Sequence, residues 1–153
     1  TPKPSSAASD VYKRQSLFFR GYSLRVVKKG KMCGKLVNIL FDTGALNSYV
    51  RMEIINNECI LGKINEVPHV VILGGKKIRV TKKYVISCEI DGIVFSIYAV
   101  PVDDLGTIRT PEGEIKLDVI IGALDMERWG IIVIPSKNDV DLSAIKKGEF
   151  VEY

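Results

Sequence analysis

The sequence has one histidine, one tryptophan and three cysteines in 153 residues, and each scarcity excludes a class of chemistry. The single His69 has no serine or cysteine beside it in a nucleophile setting, so a Ser-His or Cys-His hydrolase is not supported. It is read as a structural imidazole. Cys33, Cys59 and Cys88 are odd in number and far apart, whereas a zinc site needs tighter, paired spacing. They are read as reduced, partly buried thiols of a cytoplasmic protein, with no metal. No run of about eighteen apolar residues occurs, so no membrane-spanning helix is expected. No phosphate-cradling glycine loop occurs either, because Gly74-Gly75-Lys76 lacks the remaining spacing of that motif.

Charge of one sign is also in short supply. The net charge is only +4, and half of it comes from Lys3, Lys13, Arg14 and Asp10 in the first fifteen residues. Residues 5–15 resemble a translated sequencing-library adaptor, so residues 1–15 are expected to be disordered and to carry no function. One domain is expected over 16–153, long enough for a single core. Short basic runs occur at Lys28-Lys29-Gly30-Lys31, Lys76-Lys77-Ile78-Arg79 and Lys82-Lys83. No aromatic residues interleave with them as a nucleic-acid surface would require. They read as solvated hairpin faces, and no nucleic-acid partner is expected.

What the chain does contain is β-structure. Short runs of Val, Ile and Tyr alternate with glycine-bearing turns. Strands are predicted over 22–27 and 35–41 around a Lys-Lys-Gly-Lys turn, then over 67–73 and 76–80 around Gly74-Gly75. A further pair over 84–90 and 94–100 turns at Asp91-Gly92, a strong hairpin signal. Residues 48–55 are ambiguous between a strand and a helical turn. Residues 103–114 read as a polar connection turning at Pro111-Glu112-Gly113. A short strand follows over 117–121, then one helix over 123–129 stopped by Gly130. Residues 131–134 and 150–153 are read as further strands.

The chemistry concentrates at Asp42-Thr43-Gly44-Ala45, delivered by the apolar run Leu36 to Phe41. A carboxylate at the end of a buried strand is costly unless it is used. Gly44 lets backbone N–H groups reach it. Two later segments supply what such a site needs. Ile120-Ile121-Gly122 can pass beside the Asp loop without side-chain collision. The Gly74-Gly75 hairpin can move over a cleft. No second Asp-Thr-Gly occurs.

These motifs, in this order over residues 22–134, resemble the retropepsin-like aspartic proteases, and the spacing is closer to their cellular members than to the viral ones. The resemblance implies an all-β, closed β-barrel or sandwich with one short helix and a flap hairpin. It implies a cofactor-free homodimer acting on a polypeptide substrate, each subunit giving half of the site. Asp42 would be the catalytic carboxylate, sharing one proton with its twin while the pair activates a water. Thr43 would bond the partner's backbone beneath the dyad, and Gly44 would offer backbone groups to the dyad or substrate. Ala45, Leu46, Gly74, Gly75 and Ile121 would bind substrate, with Gly122 packed behind the loop. Two positions depart from the viral pattern. Leu46 and Ala123 stand where an Asp-Arg salt bridge is common, so both partners of that bridge are gone together. Cellular members often carry Asp at the position of Leu124. Here Asp125 follows instead, and it is read as a first-turn residue favoured by the helix dipole. A non-catalytic peptide- or protein-binding module of the same fold is the alternative.

Overall fold

The computed structural model describes residues 23–152; the adaptor-like segment and its predicted disorder lie outside the described residues. Eleven strands, β1 to β11 in chain order, account for most of the described chain. β1 (Arg25–Met32) and β2 (Lys35–Asp42) form an antiparallel hairpin. Its turn is Cys33-Gly34, with φ of 53° and 74°, the positive pair that a two-residue hairpin favours. The predicted turn at Lys28 to Lys31 is therefore corrected: those residues pair with Ile39 to Leu36 inside the strand. Gly30 is small for another reason. A Cβ there would come within 2.7 Å of the Glu89 carbonyl, at the point where β1 meets β5.

β3 (Ser48–Arg51) runs into a 3₁₀ turn (Met52–Ile54), so the ambiguous segment contains both structures. β4 (Ile60–Leu73) and β5 (Lys76–Ile90) make one long hairpin with a register shift between Asn65 and His69. The two strands predicted at 76–80 and 84–90 are thus a single one. β6 (Ile93–Val102) returns from it through Asp91-Gly92, as predicted. The polar connection contains a hairpin of its own, β7 (Thr107–Thr110) with β8 (Gly113–Lys116). β9 (Val119–Ile121) leads into helix α1 (Ala123–Trp129), which Gly130 stops in the left-handed conformation. β10 (Ile132–Ile134) pairs with β11 (Asp139–Asp141), and a second short helix, α2 (Ser143–Lys147), follows. The expectation of one helix is corrected by α2, which is too short to show periodicity. Residues 150–152 form no strand.

The main sheet runs β1-β2-β9-β3-β6-β5-β4, and a β1–β5 contact at Lys31 and Glu89 closes it. The all-β closed barrel expected from the sequence is the observed architecture. β2 explains how the Asp loop is delivered. Val37, Ile39 and Phe41 point into the larger core with Met32, Ile86 and Ile97. Leu40 points into a second cluster with Ala45, Tyr49, Val100 and Ile120. A strand buried on both faces reads as a continuous apolar run, which is what precedes Asp42.

The reading of three reduced thiols is also corrected. Cys33 and Cys59 form a disulfide, with Cα atoms 5.2 Å apart across 26 residues of sequence. Folding brings the β1–β2 turn against the start of β4, a proximity that spacing alone could not reveal. Cys88 is a buried free thiol whose burial pushes its pKa up to about 12, so it stays protonated and inert. Replacing Cys33 and Cys59 together by alanine is expected to cost about 3 kcal/mol, because the closed loop no longer restricts the unfolded chain. Denaturant titration measures it; a double variant as stable as the parent would show the bridge to be thermodynamically silent.

Candidate active site

Asp42 ends β2 at the wall of a cleft of about 300 Å³. Its Oδ1 accepts a 2.8 Å hydrogen bond from the Gly44 N–H. Its Oδ2 lies 3.6 Å from Arg25 Nε, and the side chain is 15% exposed. The carboxylate is thus oriented by the backbone of its own turn while keeping contact with solvent. The tip of the β4–β5 hairpin reaches the same cleft through Leu73, Gly74 and Lys76. Gly74 and Gly75 both have positive φ, 56° and 82°, as a two-residue turn at a hairpin tip requires.

The remaining residues singled out by the sequence fall around this cleft at different depths. Thr43 is tied within its own chain: its Oγ1 accepts from Leu24 N–H at 2.8 Å, and its N–H donates to Leu24 O at 3.1 Å. Ala45 is buried in the second core cluster, and Leu46 is 38% exposed. Their carbonyls accept from Ala123 and Leu124 N–H at 2.7 and 3.1 Å, stitching the Asp loop to the start of α1. Ile121 is fully buried, whereas its neighbour Ile120 lines the cleft. Strand alternation puts adjacent residues on opposite faces. Gly122 sits directly behind the loop, where any Cβ would strike the Asn47 carbonyl.

A buried polar cluster underneath this loop had no periodic signature in the sequence. Ser48 Oγ accepts from Gly122 N–H at 3.0 Å and donates to Asp125 Oδ2 at 2.6 Å. Tyr98 N–H points at both oxygens of Asp125 at 3.3 Å. Arg128 lies 3.6 Å from Asp125 and 3.7 Å above the Tyr98 ring. Asp125 does stand in the first turn of α1, but it is only 2% exposed. Its working contacts are to β3 and β6 rather than to a helix dipole in water.

Burial raises the Asp125 pKa, against the lowering pull of Ser48 and Tyr98. An acid with a raised native pKa binds its proton more tightly in the folded state. Its stabilising contribution is complete below the unfolded value of about 3.9 and is lost as pH rises through the native value. Asp125→Asn keeps an acceptor for Ser48 and removes the titration. Its stability is expected to fall less than the parent's over that interval, measured as denaturation midpoints against pH. Parallel pH profiles would remove Asp125 as the cause.

A second buried pair braces the middle of β2. Arg51 donates to Asp118 Oδ1 from Nε at 3.1 Å and from Nη2 at 2.7 Å. Asp118 Oδ2 accepts from Asn38 N–H at 2.8 Å. Both side chains are almost entirely buried, and they join β2, β3 and the start of β9. Neither residue was singled out in the sequence, although Asp118 lies inside the strand predicted over 117–121 and Arg51 inside the ambiguous segment 48–55, because nothing local shows that the two will meet.

Asp104 is another carboxylate on the cleft wall. The Gly106 N–H and nearby Lys76 hold its carboxyl below the usual range. It is suited to remaining ionised, not to holding a shared proton.

No protein-family model and no curated protein matches the chain. Among solved structures, the chain is similar to the retroviral protease-like domain of Ddi1 from Leishmania major. Identity is 15% and the TM-score 0.45, covering 77% of this chain and 87% of that one. So distant a likeness says nothing about what this chain does.

Its own geometry states the chemical problem. Asp42 can act as acid or as base, but one carboxylate cannot do both at once. Among the described residues no helix is long and apolar enough to cross a membrane.

Proposed function

We propose that the protein is an aspartic endopeptidase in which two chains pair so that two copies of Asp42 share one proton. The carrying observation is Asp42 itself. It is fixed by the Gly44 N–H, open to solvent, and faced across its cleft by the Gly74-bearing hairpin tip. In the dyad one carboxylate takes a proton from a water while the other, protonated, polarises the scissile carbonyl. The two apparent pKa values belong to the pair. Thr43 and Gly44 support the dyad, and Gly74 and Gly75 close over an extended substrate held by main-chain hydrogen bonds. No cofactor takes part; the Cys33–Cys59 disulfide removes the reduced-thiol ground on which a cytoplasmic location was expected, so no location is part of the proposal.

Half-sites make the activity depend on association. Incubating the protein with an unfolded polypeptide, from acidic to neutral pH, is expected to yield new amino termini. The rate per chain should fall on dilution in parallel with dissociation of the dimer seen by sedimentation. An absence of fragments where a dimer is present would overturn the proposal. One observation favours a second reading, a peptide-binding module that does not cleave. The Thr43 hydroxyl, which a twofold partner would bond, is engaged by Leu24 of its own chain. Peptide binding by a strictly monomeric protein would decide for that reading.

A further inference from the structure

A second groove, of about 500 Å³, adjoins the Asp42 cleft, and Arg25 and Leu40 line both. It runs between β1 and the β7–β8 hairpin. Its floor follows from strand alternation. On β1, Arg25, Val27 and Lys29 share a face, and their partners on β2 are Asp42, Leu40 and Asn38. A chain leaving Asp42 across this face first meets Val27, Leu40, Ile108 and Ile115, and then the cations of the outer end.

Those cations are not equivalent. Arg25 faces Asp42, and Lys28 is paired with Asp139 at 3.0 Å. Lys29 and Arg109 have no carboxylate within 4 Å among the described residues. Glu114, opposite Arg109 across the hairpin, is bonded instead by the Thr107 hydroxyl at 3.1 Å. Glu112 is the acidic residue of the lining, against four basic ones. Beyond its apolar floor the groove therefore presents two cations, Lys29 and Arg109, that no close carboxylate holds, with Glu112 also in the lining. No aromatic side chain lines it, so it offers no stacking platform for bases.

We propose that this groove is a specificity subsite that selects substrates carrying an acidic residue beyond an apolar stretch, with Lys29 and Arg109 as the selecting charges. The inference rests on the endopeptidase reading and names its substrate class. Four strand steps carry the chain from Arg25 to Lys29, a span of about 13 Å, so the acid lies about four residues from the cut bond.

Binding tests this apart from catalysis. The full-length Asp42→Asn protein is titrated into labelled extended apolar peptides that differ by Glu or Gln at one position, walked along the peptide. At low salt the Glu peptide is expected to bind about 3- to 10-fold tighter at one position several residues from the centre. The ratio should shrink as salt screens the exposed charges. In Lys29→Gln/Arg109→Gln it should collapse to about one, and in Lys29→Glu/Arg109→Glu it should invert. Equal binding of Glu and Gln peptides at every position, or a preference that survives the double variant, overturns the subsite. So does displacement of the peptide by a single-stranded oligonucleotide together with equal Glu and Gln binding. Cleavage by the parent is read separately. Preference without cleavage sinks the endopeptidase and keeps the groove; cleavage without preference does the reverse.

Discussion

Asp42→Asn is expected to lower peptide-bond cleavage by about 10²–10⁴-fold, the contribution of a positioned general acid and base, while leaving the fold intact. The structural part follows from what the side chain touches. The amide introduced by this change retains an oxygen that can accept the Gly44 N–H, and the residue packs against solvent on one side. A partly exposed, isosteric change of this kind costs little stability. The catalytic part follows from the proposed dyad, because an amide can neither take a proton from water nor share one. Titrating the variant into the parent should also poison it, since each mixed dimer has only one ionisable half. Cleavage rates, melting temperatures and mixing curves measure the three claims. Equal cleavage by parent and variant would remove Asp42 from the chemistry. A mixing curve without inhibition would show instead that each chain works alone.

The second large effect is on stability and lies at Arg51. Arg51→Ala is expected to cost about 3–5 kcal/mol, because it leaves Asp118 as an uncompensated buried charge. Asp118 keeps one partner, the Asn38 N–H, which satisfies one of its two oxygens. The pair joins β2, β3 and the start of β9, so loosening it loosens the two strands that flank the Asp loop. Arg51→Lys retains the charge but not the two-nitrogen geometry on Oδ1, and should recover part of the loss. Arg51→Met with Asp118→Leu removes both charges and should recover more, since apolar replacement of a whole buried pair is often neutral. Urea denaturation ranks the four proteins. A loss below about 1 kcal/mol for Arg51→Ala would class the pair with ordinary surface bridges.

The order in which information became legible follows from its range. Turn chemistry and alternation are local, and they located the Gly74-Gly75 and Asp91-Gly92 hairpins, α1 with its Gly130 stop, and the all-β class. They failed where two local signals competed. Lys28 to Lys31 reads as a turn because it is polar and contains glycine, yet Gly30 is small because Glu89 of another strand passes against it. Cys33-Gly34 carries the turn instead, with the hydrophobic register of β2 fixing the pairing. The second helix, α2, spans five residues, too few to leave a period.

The sequence by itself determined that Asp42 stands at the end of a buried apolar strand, in a loop whose glycine admits backbone donors to its carboxylate. It also determined that a glycine hairpin and an Ile-Ile-Gly strand were available to meet it. Only the tertiary structure decided that Gly74 reaches the same cleft as Asp42, and that Ile120, not Ile121, faces it. It alone placed Asp125 under the loop, Asp118 against Arg51, and Cys33 against Cys59. Each of these is a meeting of residues far apart in the chain. Burial, charge pairing and disulfide geometry depend on distance in space, which strand pairing across the barrel sets and no local pattern encodes.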